Sequence, residues 1–166
     1  FHEQLIEQSP YSHLAWFNLG HAYAGINENE KSLDAFSYVI AIQENFDPAY
    51  TCSGDVLYNM AKYDEALTFY MEAIKLSKPN KELYLKAAEA LEKLGDLSRS
   101  RSYLRKAITV DPYFDEAFYR IGETYRQEDK WFKAIASFER AVRLNKENVE
   151  YLAALADAYL STGEAE

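Results

Sequence analysis

Side chains that commonly act in catalysis are few in this sequence, and their spacing does not assemble a reactive group. The histidines are His2, His13 and His21, and Cys52 is the one cysteine among 166 residues. No serine or cysteine shares a predicted helix face with a histidine, as a nucleophile and its base would. His-x-x-x-His metal pairs, glycine-rich phosphate loops and calcium loops are also missing from the sequence. We therefore predict no enzyme activity, no cofactor and no metal site, and only His21 remains a candidate for binding.

Composition and charge exclude several further classes of function. The chain carries 27 acidic and 18 basic residues, a net charge of −9, which argues against nucleic acid as a partner because phosphates require Lys and Arg. A single cysteine excludes a disulfide framework and a cysteine-built zinc site. No apolar run approaches the ~18 residues of a membrane span, so we expect no membrane contact from this chain.

The elements that must position any binding residue follow a repeat of 34 residues. Within each period, apolar residues at i, i+3, i+4 and i+7 indicate two amphipathic helices separated by polar turns or prolines. No segment alternates with a period of two, so we predict no strands. We expect the small residues to let paired helices approach closely and the large residues to fill the seam to the next repeat. The small positions are Gly20, Gly54, Ala88, Gly122 and Ala156, and the large ones are Phe36, Tyr70, Leu104 and Phe138.

This pattern resembles the tetratricopeptide repeat family across essentially the whole chain. The family's pattern is met in the first complete repeat by Trp16, Leu19, Gly20, Tyr23, Ser32, Phe36 and Val39. The sequence departs from it at Ser53, Arg101 and Phe132. The resemblance implies an all-α fold, an α-α superhelix (right-handed solenoid) of tandem 34-residue helix-turn-helix repeats.

The register of the repeat predicts how the chain is divided. Four full repeats are expected at 13–46, 47–80, 81–114 and 115–148. Residues 1–10 are expected to be the second helix of a preceding repeat, and residues 149–166 the first helix of a further one. Because the chain begins with Phe1 and ends just after a turn at Gly163, we expect a piece of a longer array.

In the tetratricopeptide repeat family the first helices line a concave groove, and the resemblance implies that a partner binds there. Around Asp55 we expect a docking patch of aromatic surface with one uncompensated carboxylate, because no basic residue lies three or four positions away on its helix. Asp157 likewise lacks such a neighbour. The candidate groove residues are Phe17, His21, Asp55, Tyr58, Asn59, Glu89, Tyr119, Glu123, Arg126 and Asp157.

Other carboxylates of the groove have basic neighbours on their own helices. We expect Glu89 to pair with Lys93, and Glu123 to pair with Arg120 or Arg126. Each such pair contributes only ~0.2–0.5 kcal/mol, but it reduces the local field. The third and fourth repeats are therefore expected to be self-compensated, with unpaired charge toward the ends. Two further pairs of this kind are Glu82–Lys86 and Glu116–Arg120.

Two features of the second helices lie outside the groove. Arg99, Arg101, Arg105 and Lys106 cluster in the third repeat, and we interpret them as a solvated face. In the fourth repeat Trp131 is expected to pack into the turn. Phe132 replaces Asp64 and Ser98 of earlier repeats, which makes it a candidate exposed contact.

The sequence thus predicts a non-catalytic scaffold for protein–protein interaction, binding a protein or peptide segment of basic and aromatic character. Chaperone tails are unfavourable partners, because the family's carboxylate clamp would fall on Phe17, His21, Cys52, Glu82 and Lys86. Of these only Lys86 is basic. Two alternatives stay open: self-association through Leu152, Leu155 and Tyr159 at the open end of the array, or a regulatory array attached to a catalytic domain outside this sequence.

Overall fold

Helices account for all of the regular structure in the described part of the chain. The structure is a computed structural model that describes residues 3–4 and 12–163, and it contains no strand in these ranges. The all-α prediction is therefore confirmed. The helix predicted over residues 1–10, which includes His2, lies outside the described residues apart from Glu3 and Gln4. The helices are α1 (His13–Gly25), α2 (Asn29–Ile42), α3 (Asp47–Asn59), α4 (Tyr63–Leu76), α5 (Lys81–Lys93), α6 (Leu97–Val110), α7 (Asp115–Gln127), α8 (Trp131–Leu144) and α9 (Val149–Thr162).

Three of the first helices begin at a residue whose side chain satisfies a free N–H group of the first turn. Ser12 Oγ accepts a hydrogen bond from the Ala15 amide at 3.3 Å at the start of α1. Asn80 and Asn148 cap α5 and α9 in the same way, each with a bond of 3.1 Å. In α3, Pro48 occupies the first turn, where a missing N–H costs nothing. The polar residues and prolines between the repeats thus set where the first helices start.

A left-handed backbone residue follows the first helix of every repeat. Gly95 and Gly163 have φ of 80° and 74°. Asn27, Ala61 and Asp129 have φ of 60°, 58° and 56° although each carries a side chain. These positions recur every 34 residues, so the tight turn is part of the repeat. Ala61 pays the steric cost of this conformation without the local hydrogen bonding open to Asn or Asp.

The two helices of a repeat pack through a small residue on the first and a large one on the second. A Cβ built on Gly20 would lie 2.5 Å from Cε1 of Phe36, so any side chain at this site would require the Phe36 ring to move. Ser32 Oγ also donates to the Gly20 carbonyl oxygen at 2.8 Å. The predicted close approach is confirmed. The large residues fill the seam within their own repeat as well as the seam to the next, since Leu104 packs against both Ala88 and Ile121.

Two compact units divide the chain, one ending at Pro79 and the other beginning at Asn80. The first unit holds α1–α4 around buried Phe36, Val39, Leu57 and Tyr70. The second holds α5–α9 around one cluster at Leu104 and another at Phe138. None of the helices in the described residues has the length and apolarity needed to cross a membrane.

The structure corrects two expectations about residues outside the groove. Arg101 is not on a solvated face: it is only 7% exposed, because it occupies the apolar position that Leu67 and Ile135 hold in neighbouring repeats. At the end of the chain, Leu155 and Tyr159 are half-buried against the Phe138 cluster, whereas Leu152 of the same expected surface is 43% exposed. The side chains of Leu155 and Tyr159 turn toward α8, which lies before α9 in sequence and packs against it.

The remaining expectations for the second helices are confirmed. Trp131 packs against the Phe138 cluster at the start of α8, as expected for a residue that closes the turn. Phe132 is 68% exposed, so the aromatic ring that replaces Asp64 and Ser98 lies in solvent.

Candidate partner-binding site

The first unit carries an aromatic surface on its first helices, here named the N-terminal face. It consists of the candidates Phe17 and His21 on α1 and Asp55, Tyr58 and Asn59 on α3. The rings of Phe17 and His21 meet edge to face with centroids 4.5 Å apart, and Phe17 also lies 5.2 Å from Phe46. Nε2 of His21 lies 3.6 Å from Sγ of Cys52, which connects α1 to α3.

Asp55 has a hydrogen-bond partner outside its own helix. Its Oδ1 accepts a hydrogen bond of 2.8 Å from the hydroxyl of Tyr70. The partner was missed because it comes from α4, 15 residues later, and an i+3 or i+4 search covers only the same helix. Tyr58 also contacts its own hairpin, with its ring 5.1 Å from the ring of Tyr63. Asn59 is exposed at the end of α3.

The second unit carries a polar network on its first helices, here named the C-terminal face. It comprises the candidates Glu89, Tyr119, Glu123, Arg126 and Asp157, on α5, α7 and α9. Its centre is Arg120 of α7, which was expected to pair only with Glu116 or Glu123 on its own helix. The guanidinium of Arg120 contacts three carboxylates: Glu89 in an ion pair, Glu92 at 3.5 Å and Glu116 at 3.1 Å.

The network confirms two predicted pairs and corrects another. Glu116–Arg120 is present, and Glu123 receives two hydrogen bonds from Arg126, at 3.0 and 2.7 Å. Glu89 pairs with Arg120 and not with Lys93, because Arg120 reaches across from the first helix of the next repeat. Glu82 lies 4.0 Å from Nζ of Lys81, its neighbour at the start of α5.

Asp157 was expected to lack a basic partner, and the structure corrects this also. Arg126 of α7 interacts electrostatically with Asp157 of α9 as well as with Glu123. The hydrogen bond from Arg126 to Glu123, together with these charges, raises the pKa of the guanidinium, so Arg126 stays charged. As at Asp55, the partner belongs to a neighbouring helix.

A pair of tyrosines gives the C-terminal face an aromatic component. The rings of Tyr119 and Tyr151 are stacked with centroids 4.8 Å apart, and the Tyr119 hydroxyl donates to Glu150 at 3.1 Å. Burial, with nearby carboxylates, raises the pKa of Tyr119 well above its usual range and that of Tyr151 to about 12. Both phenols are therefore neutral hydrogen-bond donors at physiological pH.

Burial also perturbs the carboxylate beneath this surface. Glu92 accepts a hydrogen bond from Ser100 at 3.2 Å and lies near Arg120. Removal from water nevertheless raises the pKa of Glu92 above its ordinary value, since burial outweighs the attraction of Arg120.

The residues that sequence reasoning missed share a simple spacing. Contacts between first helices of adjacent repeats join residues 31 positions apart: His21 with Cys52, Glu89 with Arg120, and Tyr119 with Glu150. A search at i+31 would have found Arg120 and Glu150. Among the described residues, no three His, Cys, Asp or Glu side chains converge as metal ligands would.

Comparisons with known proteins agree with this architecture. Profiles described as tetratricopeptide repeat match residues 48–80, 81–114 and 115–148, more than half of the chain. Among curated proteins, human Protein O-mannosyl-transferase TMTC1 is 23% identical over 143 residues, covering 86% of this chain and 16% of that protein. TPR repeat-containing protein YpiA of Bacillus subtilis is 32% identical over 97 residues, covering 58% of this chain and 23% of that protein. The chain thus spans less than a quarter of the length of these relatives.

Solved structures of low sequence identity share the fold. YrrB, described as a TPR protein with an unusual peptide-binding site, superposes with a TM-score of 0.82 at 19% identity, covering 99% of this chain and 85% of that one. MamA superposes with a TM-score of 0.83 at 18% identity, covering 90% of this chain and 88% of that one. The chain therefore belongs to the tetratricopeptide repeat family, and its tandem helical hairpins form an all-α scaffold of the kind that mediates protein–protein interaction.

Proposed function

We propose that the chain binds a segment of a partner protein on the faces of its first helices, without catalysing a reaction, and that it favours basic and aromatic side chains. The observation that carries the proposal is the excess of carboxylates on the C-terminal face. Around Arg120 and Arg126 the described structure places six carboxylates, more than these two guanidinium groups can neutralise. The six are Glu89, Glu92, Glu116, Glu123, Glu150 and Asp157.

The sharing of one cation among several carboxylates leaves the face attractive to a further cation. Arg120 contacts three carboxylates and cannot neutralise all of them. An incoming Lys or Arg side chain would add attraction without displacing an existing pair. Because the face is partly exposed, this attraction depends on ionic strength and falls as salt screens it.

The aromatic groups supply the second part of the preference. Tyr119 of α7 lies half-buried and stacks on the ring of Tyr151. Phe17 and His21 offer a similar surface on the N-terminal face. Such rings bind apolar or aromatic side chains through burial and cations through the ring face.

A binding assay with a defined probe tests the proposal. The probe is a short fluorescein-labelled peptide in which Arg and Lys alternate with Tyr and Phe, and the readout is fluorescence anisotropy. The double variant Glu123→Lys with Asp157→Lys should weaken binding by about tenfold or more, since both substitutions place positive charge opposite the positively charged probe. The matched control is Glu44→Lys with Glu147→Lys, two exposed sites outside the faces with the same change of net charge. Equal losses in the two double variants would reject the assignment to this face.

Self-association is a second candidate, supported by an apolar face of α9. Val149, Leu152, Ala156 and Leu160 follow helical spacing and are all exposed, Leu160 by 67%. A second copy of the chain could cover this face with its own α9. Light scattering at increasing concentration tests it: the mass should rise toward a dimer in the native chain and not in Leu152→Glu with Leu160→Glu. A constant monomer mass for the native chain rejects this candidate.

A further inference from the structure

We propose that the second unit has another docking surface, on the side of α6 and the start of α8, that takes an acidic segment of a partner protein. We name it the α8 surface and define it by Arg105, Lys130, Trp131, Phe132 and Lys133. Its charge preference is opposite to that of the C-terminal face, and it uses none of the residues assigned to that face. The proposal therefore stands independently of the function proposed above.

An apolar cleft forms the floor of the α8 surface. It has a volume of about 400 Å³ and lies between the start of α8 and the end of α9. Trp131 and Phe132 contribute its rings, and Lys130 and Lys133 flank them. Phe132 extends into solvent where Asp64 and Ser98 stand in other repeats. A cleft of this kind accommodates one apolar side chain of a bound peptide.

Cations converge beside this cleft on the ring of Tyr125. The guanidinium carbon of Arg101 lies 4.5 Å from the ring centroid and the ammonium of Lys133 lies 5.6 Å from it. Arg105 donates a hydrogen bond of 2.9 Å to the Tyr125 hydroxyl. In the described part of the chain, neither Arg105 nor Lys133 has a carboxylate within ion-pair distance. Their charges are thus available to a ligand.

The carboxylates nearby do not balance this charge. Glu128 is shared by Arg101 at 3.1 Å and Lys130 at 2.8 Å, and its two cationic neighbours lower its pKa. Asp129 lines the cleft and adds one more negative charge. Among the described residues, Arg101, Lys130, Arg105 and Lys133 thus stand beside two carboxylates, in a protein whose net charge is −9.

Arg101 supplies a second and independent indication. Its Nη1 is buried and has no hydrogen-bond partner, while Nη2 bonds to Glu128. Leu33, Leu67 and Ile135 occupy the same position in the other repeats, so packing alone does not require a cation. A buried charge with two of its five N–H donors unpaired is costly, and its field adds to the positive potential at Lys133 and Arg105.

The combination of apolar floor and cationic rim defines the ligand chemistry. Carboxylates of a peptide would meet Arg105, Lys130 and Lys133, and a neighbouring Leu or Phe side chain would enter the cleft beside Phe132. The remainder of the chain is acidic and repels an extended polyanion, which favours a short acidic segment over nucleic acid.

The test uses the whole chain and a defined peptide. The probe is a short fluorescein-labelled peptide with one leucine between runs of glutamate. Its binding is measured by fluorescence anisotropy at low and at physiological ionic strength. Saturable binding is expected, and Arg105→Glu with Lys133→Glu should weaken it by about tenfold. Lys75→Glu with Lys146→Glu, an equal charge change at exposed sites outside the surface, should alter it less than twofold, or about within assay error. Phe132→Ala should weaken it by about fivefold through loss of apolar contact.

Location and selectivity are measured in the same system. In the Trp16→Phe background Trp131 is the one remaining tryptophan, so its emission should change on titration with the peptide. The proposal is overturned if the peptide does not bind, if both double variants lose equal affinity, or if Trp131 emission is unaffected at saturation. It is also overturned if an oligothymidylate or an anionic phospholipid vesicle competes as well as unlabelled peptide.

Discussion

The guanidinium of Arg101 stacks on the ring of Tyr125, 4.5 Å from its centroid, at a position where the other repeats carry Leu or Ile. Within the described residues, it forms an ion pair with Glu128, and its Nη1 has no hydrogen-bond partner. The free energy lost by removing this charge from water is about equal to the free energy gained from its contacts. Replacing a buried ion pair with apolar residues is commonly neutral or stabilising.

We therefore expect Arg101→Leu to leave the free energy of unfolding unchanged or to raise it by ~1–3 kcal/mol. Urea denaturation measures this, and Arg101→Ala is the matched control, since it removes the charge and leaves a cavity. If Arg101→Leu destabilises as strongly as Arg101→Ala, the ion pair and the ring contact stabilise the fold after all.

A second prediction concerns the left-handed residue Ala61, whose φ is 58°. Ala61→Gly should stabilise the chain by about 1 kcal/mol, because glycine adopts this conformation without a steric cost. The reciprocal change Gly95→Ala should destabilise the chain by a similar amount. Because no neighbouring atom would contact the new Cβ, this loss would come from the backbone conformation alone. Thermal unfolding of both variants checks the signs. A lower midpoint for Ala61→Gly would show that the turn is not strained.

This turn also shows how far the sequence predicts the fold. The 34-residue period, the two helices per repeat and the small-to-large packing follow from residue types alone. The turn at Ala61 does not, because alanine is a helix former and carries no turn signal. Its left-handed conformation is apparent only from the residues at the same position in the other repeats, Asn27, Gly95, Asp129 and Gly163, which adopt it more readily.

The third prediction uses the natural difference between two repeats. Gly20 faces Phe36, whereas the third repeat pairs Ala88 with Leu104. Gly20→Ala should destabilise by ~1–3 kcal/mol, because the new Cβ overlaps the Phe36 ring. Adding Phe36→Leu should recover part of this loss by recreating the pair of the third repeat, although Phe36→Leu alone leaves a void.

A double-mutant cycle by chemical denaturation measures this coupling. Gly25→Ala is the control, since no atom lies within 4 Å of a Cβ there. Additive effects of Gly20→Ala and Phe36→Leu would contradict the proposed packing.

The fourth prediction is a pair of opposite pH dependences. Burial raises the folded-state pKa of Glu92 above its ordinary 4.5, so the folded chain holds this proton more tightly and loses stability as the pH rises through that window. Hydrogen bonds from Lys130 and Arg101 lower the folded-state pKa of Glu128 below its ordinary 4.5. The ionised Glu128 therefore stabilises the folded chain above that pH, and this stabilisation is lost as the pH falls.

Thermal unfolding between acidic and neutral pH distinguishes the two groups. Relative to the native chain, Glu92→Gln should gain stability progressively as the pH rises above 4.5. Glu128→Gln should be less stable at neutral pH, with a deficit that disappears in acid. The same trend in both variants would contradict the assigned directions.

The candidate faces were predicted less completely than the fold. The resemblance placed Glu89, Glu123 and Asp157 on first helices, but their partners were sought within single helices. Helix periodicity relates residues three and four apart, whereas Arg120 reaches Glu89 across 31 positions. Such contacts depend on how one hairpin stacks on the next, which periodicity within a helix does not encode.

A titration of isotope-labelled protein with the basic aromatic peptide, followed by amide chemical shifts, tests most directly where a partner binds. Saturable shifts should appear on α5, α7 and α9 near Glu89, Glu123 and Asp157, and should be lost in Glu123→Lys with Asp157→Lys. The start of α8, near Phe132, should not respond to this peptide. Shifts confined to α8, or no shifts at saturating peptide, would contradict binding of a basic segment by the first-helix faces.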